Sequence, residues 1–205
     1  MCKYLLEACI ESLEQATEAQ NNGAHRLELC DNLAKDGLTP DFLKFISIKI
    51  SISIPIKVMI RPTHRDFQYT SEEILEIYSS ISEFKKLGAE AIVFGAIKEN
   101  RLDFKLIKEI CAFASPMEVT IHKAIDSSDY ISSDIELLKS IPNIVSILSS
   151  GQKPKAIGAI DKLKEIQLWC GDKLNLIIAG KVTKTNVNQI AKLTGAKEFH
   201  GRNIV

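Results

Sequence analysis

Eight short runs rich in aliphatic and β-branched residues recur along the chain, each followed by a stretch of helical character. This alternation limits the possible folds more than any other feature. The runs cover residues 5–9, 26–30, 56–60, 91–95, 118–122, 145–149, 174–179 and 198–200. Helix-like stretches occupy 12–22, 41–48, 71–87, 103–114, 134–140, 156–170 and 185–194. In the third of these, Ile74, Leu75, Ile77, Tyr78, Ile81 and Phe84 recur at steps of three and four, the spacing of one helix face. Near-continuous apolar strands are expected where both faces of a sheet are covered. Strands alternating with helices indicate βαβ units and a parallel sheet.

The breakers fall where such units need them. Gly23, Gly88 and Gly195 each follow a helix and precede Ala and a strand, which is helix C-cap chemistry and a weak internal repeat. Pro40, Pro55, Pro116 and Pro142 fall in connections. Thr183 or Thr185 is placed to cap the last helix. No composition shift divides the 205 residues, so residues 1–205 are read as one domain. A chain of this length buries roughly 70% of its unfolded surface and needs no disulfide or metal to fold. Eight strands favour a (β/α)8 barrel, an α/β fold, over an open doubly wound sheet. The first strand lacks a GxGxxG turn, so no nucleotide cofactor is expected. Five residues follow His200, so the eighth helix is expected to be truncated or absent. Strand eight, not helix eight, closes a barrel.

Charge and cysteine usage exclude several classes. Lys and Arg total 26, as do Asp and Glu, so the net charge is zero and no basic footprint for nucleic acid is present. The apolar runs fall far short of the ~20 residues of a membrane helix. The five cysteines form an odd set, no secretory segment opens the chain, and no CxxC or HxxxH spacing occurs. A reduced, cytoplasmic protein is expected. Cys2, Cys111 and Cys170 read as bystanders, at a terminus, on a helix and at a helix end, and Trp169 as packing.

In a (β/α)8 barrel the site lies where the strands end at their C-terminal face. Strand one delivers Glu7 and Cys9 there, and strand two Glu28 and Cys30. Strand three brings Arg61 with Asp66 beyond it, and strand five His122, Lys123 and Asp126. The later strands bring Ser149, Ser150 and Gly151, then Gly180 and Lys181, then His200 and Arg202. Each has a plainer reading. Glu7 and Glu28 sit in apolar runs, where a carboxylate needs a partner such as Arg26 or Arg61. Cys9 and Cys30 fit as small core residues, and His122 as a satisfied core histidine. The Gly-containing late loops suit an anion, because loops after strands seven and eight often bind phosphate, though such loops also simply turn corners.

Taken together, these segments resemble the CutC copper homeostasis protein family. The resemblance rests on Leu6-Glu7-Ala8-Cys9 with Ser12-Leu13-Glu14-Gln15-Ala16, and on Gly23-Ala24-His25-Arg26-Leu27-Glu28-Leu29-Cys30 with Gly37-Leu38-Thr39-Pro40. It continues through Ile60-Arg61-Pro62, Asp66-Phe67 and Tyr69-Thr70, and through Val119-Thr120-Ile121-His122-Lys123-Ala124-Ile125-Asp126, with Lys123 where Arg is common. Ile147-Leu148-Ser149-Ser150-Gly151-Gln152, Ile178-Ala179-Gly180 and Glu198-Phe199-His200 complete it in order. The resemblance implies a cytoplasmic (β/α)8 barrel, a homo-oligomer, linked by name to copper tolerance and Cu(I) handling. Longer members carry more chain after strand eight.

Two chemistries follow. Side chains two apart on a strand share a face, so Cys9 lies with Glu7 and Cys30 with Glu28 on adjacent strands. If they point inward, two thiolates meet at the mouth as soft ligands for Cu(I), the possible metal cargo, with His122 as an added nitrogen. Alternatively, the protein is an enzyme acting on a small phosphorylated or carboxylated metabolite. Glu7 or Glu28 is then the base, with His122 and Asp126 as further catalytic groups. Arg61, Asp66, Lys123, Ser149, Ser150, Gly151, Gly180 and His200 bind the anion.

Overall fold

The computed structural model describes residues 4–205, and Cys2 lies outside them. Each of the eight expected strands forms within one residue of its expected bounds. They are β1 (Leu5–Ile10), β2 (Arg26–Leu29), β3 (Ile56–Met59), β4 (Ala91–Phe94), β7 (Glu118–Ile121), β8 (Ile144–Ser149), β9 (Asn175–Ile178) and β10 (Glu198–Gly201). All pair in parallel, in the closed order β1-β10-β9-β8-β7-β4-β3-β2. Seven helices surround the barrel: α1 (Leu13–Asn21), α2 (Phe42–Ser51), α3 (Ser71–Lys86), α4 (Phe104–Ala114), α5 (Ile131–Leu138), α6 (Ile160–Cys170) and α7 (Val187–Thr194).

Local chemistry accounts for the helix starts. Ser12, Asp41 and Asp103 each accept a hydrogen bond from a first-turn N–H of α1, α2 and α4. Thr70 and Glu73 form a reciprocal capping box on α3. The expected threonine cap on α7 is not made. Thr183 and Thr185 bond each other, and Asn186 turns its side chain onto the Thr183 N–H instead.

Three details depart from expectation. A two-residue hairpin, β5 (Ile97–Lys98) and β6 (Arg101–Leu102), follows β4. α5 starts at Ile131 rather than 134, because Asp134 is no surface residue. It is fully buried and accepts from the Leu102 N–H, the Ser128 hydroxyl and Arg101. The long segment 156–170 divides into a 3-10 turn (Ala156–Gly158) and α6.

The main core lies between sheet and helices. Ala8, Leu27, Val58, Ile92, Val119 and Phe199 face outward into it, packed on helix residues such as Phe45, Ile81 and Leu163. Cys111 and Cys170 are buried in the same core, as expected of bystanders. Alternation then sends the neighbouring strand positions inward. Among the described residues, the barrel interior holds two small apolar clusters. Cys9, Cys30, Leu33, Met59 and Val93 form one, and Leu148, Ile177 and Ala179 the other. Glu7, Glu28, Lys57, Thr120, Ser146 and His200 supply much of the rest, where barrels usually stack branched aliphatics.

Candidate functional site

The strand register builds the site. Glu7 stands beside His200 across the β1–β10 ladder, and Cys9 stands beside Glu28 across β1–β2. Both pairs face inward. The Glu7 carboxylate therefore meets His200 Nδ1 at 2.9 Å, and it also binds Arg26 Nε at 2.5 Å and Lys57 Nζ at 3.3 Å. Burial alone would raise the Glu7 pKa, but Lys57, His200 and Arg26 together drive it far below the carboxylate range. Lys57 also donates to Thr120 at 2.7 Å, and Arg26 to Glu198 at 2.7 Å. Of the partners expected for Glu7, Arg26 is present and Arg61 is not. Glu7 is thus a fixed anion inside a cationic cage.

One layer above, the Cys9 and Cys30 sulfurs lie 3.8 Å apart, at 3.8 and 3.4 Å from the same Glu28 oxygen. The Cys30 thiol stabilises the Cys9 thiolate by hydrogen bonding, which brings Cys9 down to about 5 despite burial. That same bond, with burial, holds the Cys30 proton in place and pushes its pKa well up. Burial raises Glu28 to about 8. Opposing burial, the neighbouring carboxylates and Cys9 hold the His200 pKa well above its ordinary value. Cys9, Glu28 and Cys30 form one three-ligand group within binding reach of a metal, and Glu7, Glu28 and His200 form another.

A cavity of about 730 Å³ opens above this floor. Cys9, Glu28 and His200 line it, whereas Glu7 and Cys30 lie beneath. His122 also lines it. Its Nδ1 accepts the Ala124 N–H at 3.1 Å and its ring packs on Phe67 at 4.7 Å. Burial, with Arg61 nearby, lowers its pKa to about 3, so it is a neutral imidazole carrying its proton on Nε2. The sulfur pair bonds within itself and to Glu28, with His200 beside Cys9, and among the described residues no hydrogen bond joins it to His122.

Several expected roles are corrected by the hydrogen-bond partners. Arg61 is no free anion clamp. Its two terminal nitrogens donate to the carbonyls of Lys35, Asp36, Gly37, His64 and Arg65 at 3.0–3.4 Å, leaving only Nε without a partner. Asp66 is exposed, accepts from the Gln68 N–H, and lies outside the cavity lining. Asp126 is not a free acid or base, since it takes four bonds from Ser149, Ser150 (N–H and hydroxyl) and Gln152. Those bonds occupy Ser149 and Ser150, and the Gly151 N–H donates to Ser149. His200 serves Glu7 rather than an anion. Lys123 and Gly180 do line the cavity.

Lys57 and Ser146 were not expected at the site. Lys57 shares the signal that marked Glu7, a charge at an inward position of an apolar strand (Ile56-Lys57-Val58).

The fold and site together define a closed (β/α)8 barrel with a thiol–carboxyl–imidazole cluster at its mouth. The CutC family model matches residues 4–205, and the chain belongs to the CutC family. A CutC family protein of Photobacterium profundum is 34% identical over 202 residues, covering 95% of this chain and 80% of that protein. The human copper homeostasis protein cutC homolog is 33% identical over 198 residues, covering 96% and 72%. The crystal structure of CutC from Streptococcus agalactiae superposes with a TM-score of 0.93 at 27% identity, over 98% of this chain and all of that one.

Proposed function

We propose that the protein binds Cu(I) as cargo through Cys9 and Cys30 at the barrel mouth, in the service of copper homeostasis. The observation that carries this reading is the 3.8 Å separation of the two sulfurs. Two thiolate–metal bonds of about 2.3 Å each span up to ~4.6 Å, so one ion reaches both sulfurs without moving either strand. Soft thiolates favour Cu(I), as they do zinc, over the hard cations magnesium and calcium. Cys9 is already disposed to ionise, so loading one ion displaces a proton chiefly from Cys30. Glu28 supplies a third, harder ligand atom beside the pair. The four described cysteines are free thiols, which fits a reducing cytoplasm. The relatives named for copper homeostasis support the same reading.

Competition with a chromophoric Cu(I) chelator under reducing conditions tests it. Wild type is expected to take one Cu(I) per chain, and Cys9→Ala and Cys30→Ala to lose that ion. Equal stoichiometry and affinity in all three proteins would overturn the site.

A further inference from the structure

One Cu(I) ion accounts for little of a cavity of about 730 Å³, a volume typical of sites for organic ligands. Its distribution of charge is uneven. The chain as a whole is neutral. Yet Lys123, Lys153, Lys181 and Arg202 all line the cavity, all are exposed, and none has a carboxylate within 4.0 Å among the described residues. The acidic groups of the lining do not balance them. Asp126 is covered by four donors, Glu28 lies buried at the floor against Cys9 and Cys30, and Asp36 alone remains beside the cations.

Three of these cations come from the loops after β8, β9 and β10, and those loops are held together by close backbone approach. The Ala156 N–H donates to the Gly180 carbonyl at 2.9 Å, and the Lys184 N–H to the Asn203 carbonyl at 2.9 Å. A Cβ on Gly180 would lie 2.6 Å from that of Ser150, and one on Gly201 would lie 2.2 Å from the Val182 carbonyl oxygen. Gly180 and Lys181 are both left-handed, with φ +95° and +58°. For a lysine that conformation costs about 1–2 kcal/mol. Held this way, the N–H groups of Gly180, Lys181 and Val182 donate to no acceptor among the described residues, whereas the next, Thr183, is satisfied by Asn186. All three residues edge the cavity. Across the cavity, Glu28 Oε2, Arg61 Nε and His122 Nε2 are buried polar atoms without partners. Such orphans are rare and costly in a folded protein.

We propose that this cavity binds a small phosphomonoester. Its phosphate sits on the Gly180–Lys181–Val182 backbone between Lys153, Lys181 and Arg202, and its polar remainder reaches toward Arg61, His122 and Glu28. A run of free N–H groups with converging cations suits a dianion with several acceptor oxygens. The phosphate end of this site uses neither sulfur, and Glu28 is the one residue it shares with the proposed copper site.

The test is calorimetric titration of the copper-free protein at low ionic strength with ribose 5-phosphate and glycerol 3-phosphate, and with ribose and glycerol as neutral counterparts. At least one phosphate ester is expected to bind. Neither neutral compound is expected to bind, and excess inorganic phosphate is expected to compete. The double variant Lys181→Ala/Arg202→Ala should weaken ester binding at least tenfold while retaining wild-type Cu(I) stoichiometry. Both side chains are exposed and unpaired, so an unchanged melting temperature is expected. Lys153→Ala supplies a second variant with a smaller loss. The proposal is overturned if wild type binds neither ester, if the neutral compounds bind as tightly, if inorganic phosphate fails to compete, or if the folded double variant binds like wild type. Loss of copper binding in the cysteine variants, or its retention, leaves each of these readouts unaffected.

Discussion

At the scale of single residues, Glu28 and Cys9 divide one negative charge between them. Cys9 ionises near 5 in the fold against 9.0 when unperturbed, so it contributes stability that grows as pH rises from about 5 to 9. Glu28 behaves oppositely. Burial holds its proton up to about 8 against an ordinary 4.5, so its contribution is intact below 4.5 and drains away as pH rises to 8. Between pH 5 and 8 the two slopes cancel in wild type. Glu28→Gln should then gain stability relative to wild type across that window, by up to about 1.4 kcal/mol per pH unit. Cys9→Ser should lose stability relative to wild type over the same range. Denaturant midpoints of the copper-free, reduced proteins at pH 5, 6.5 and 8 measure both slopes. Parallel slopes in the two variants would show that no charge is shared. The pairing itself was legible in the sequence, since a two-residue step on each of two adjacent strands already put Glu7 with Cys9 and Glu28 with Cys30. The direction of each ionisation was not, because it depends on burial and on which thiol donates.

At the scale of elements, long strands and helices were readable because they repeat a pattern, and their connections were not. The β5–β6 hairpin has two residues per strand, too few to display any period. Arg61 shows the same limit at the site. An arginine at a strand end suggests a ligand anion, but its partners are five backbone carbonyls, which no side-chain pattern encodes. Those bonds join the turn after β2 to the loop after β3. The Arg61 N–H reinforces them by donating to Thr39 Oγ1 at 2.7 Å, and the Thr39 N–H by returning to the Arg61 carbonyl at 2.9 Å. The guanidinium also lies 4.9 Å from the Phe67 ring, which packs at a tilt against His122, so the loop after β7 is tied in as well. Lysine keeps the charge but has one nitrogen in place of a planar fork. Arg61→Lys should therefore cost about 2–4 kcal/mol, through two or more lost charge-assisted bonds to partly buried carbonyls. Faster amide exchange at residues 35–39 and 64–67 should accompany the loss. A variant with wild-type stability and exchange would show that these bonds do not anchor the two loops.

At the scale of the whole molecule, the barrel closes around an ion network. β1 and β10, from the two ends of the chain, are adjacent in the ring, and the Glu7–His200 bond spans that seam from inside. Glu7 simultaneously faces Arg26 and Lys57, so its carboxylate neutralises groups delivered by three other strands. Removing that charge while keeping the shape, as in Glu7→Gln, leaves the buried Lys57 without its carboxylate and Arg26 with Glu198 alone. Breaking a buried pair in this way costs about 3–5 kcal/mol, or on the order of 10 °C in melting temperature for a chain of this size. Glu7 lies far below its ordinary pKa, so its contribution is present above about 4.5 and is lost as pH falls through the acid range. The deficit of Glu7→Gln relative to wild type should therefore be large at pH 7 and shrink toward pH 3. A double variant separates charge balance from packing. Lys57→Met removes one of the cations that Glu7 serves, so Glu7→Gln/Lys57→Met should cost less than the sum of the two single changes. Melting curves of the four proteins provide that cycle. Strict additivity would mean that Lys57 and Glu7 act separately, and that the barrel interior is held by its shape alone.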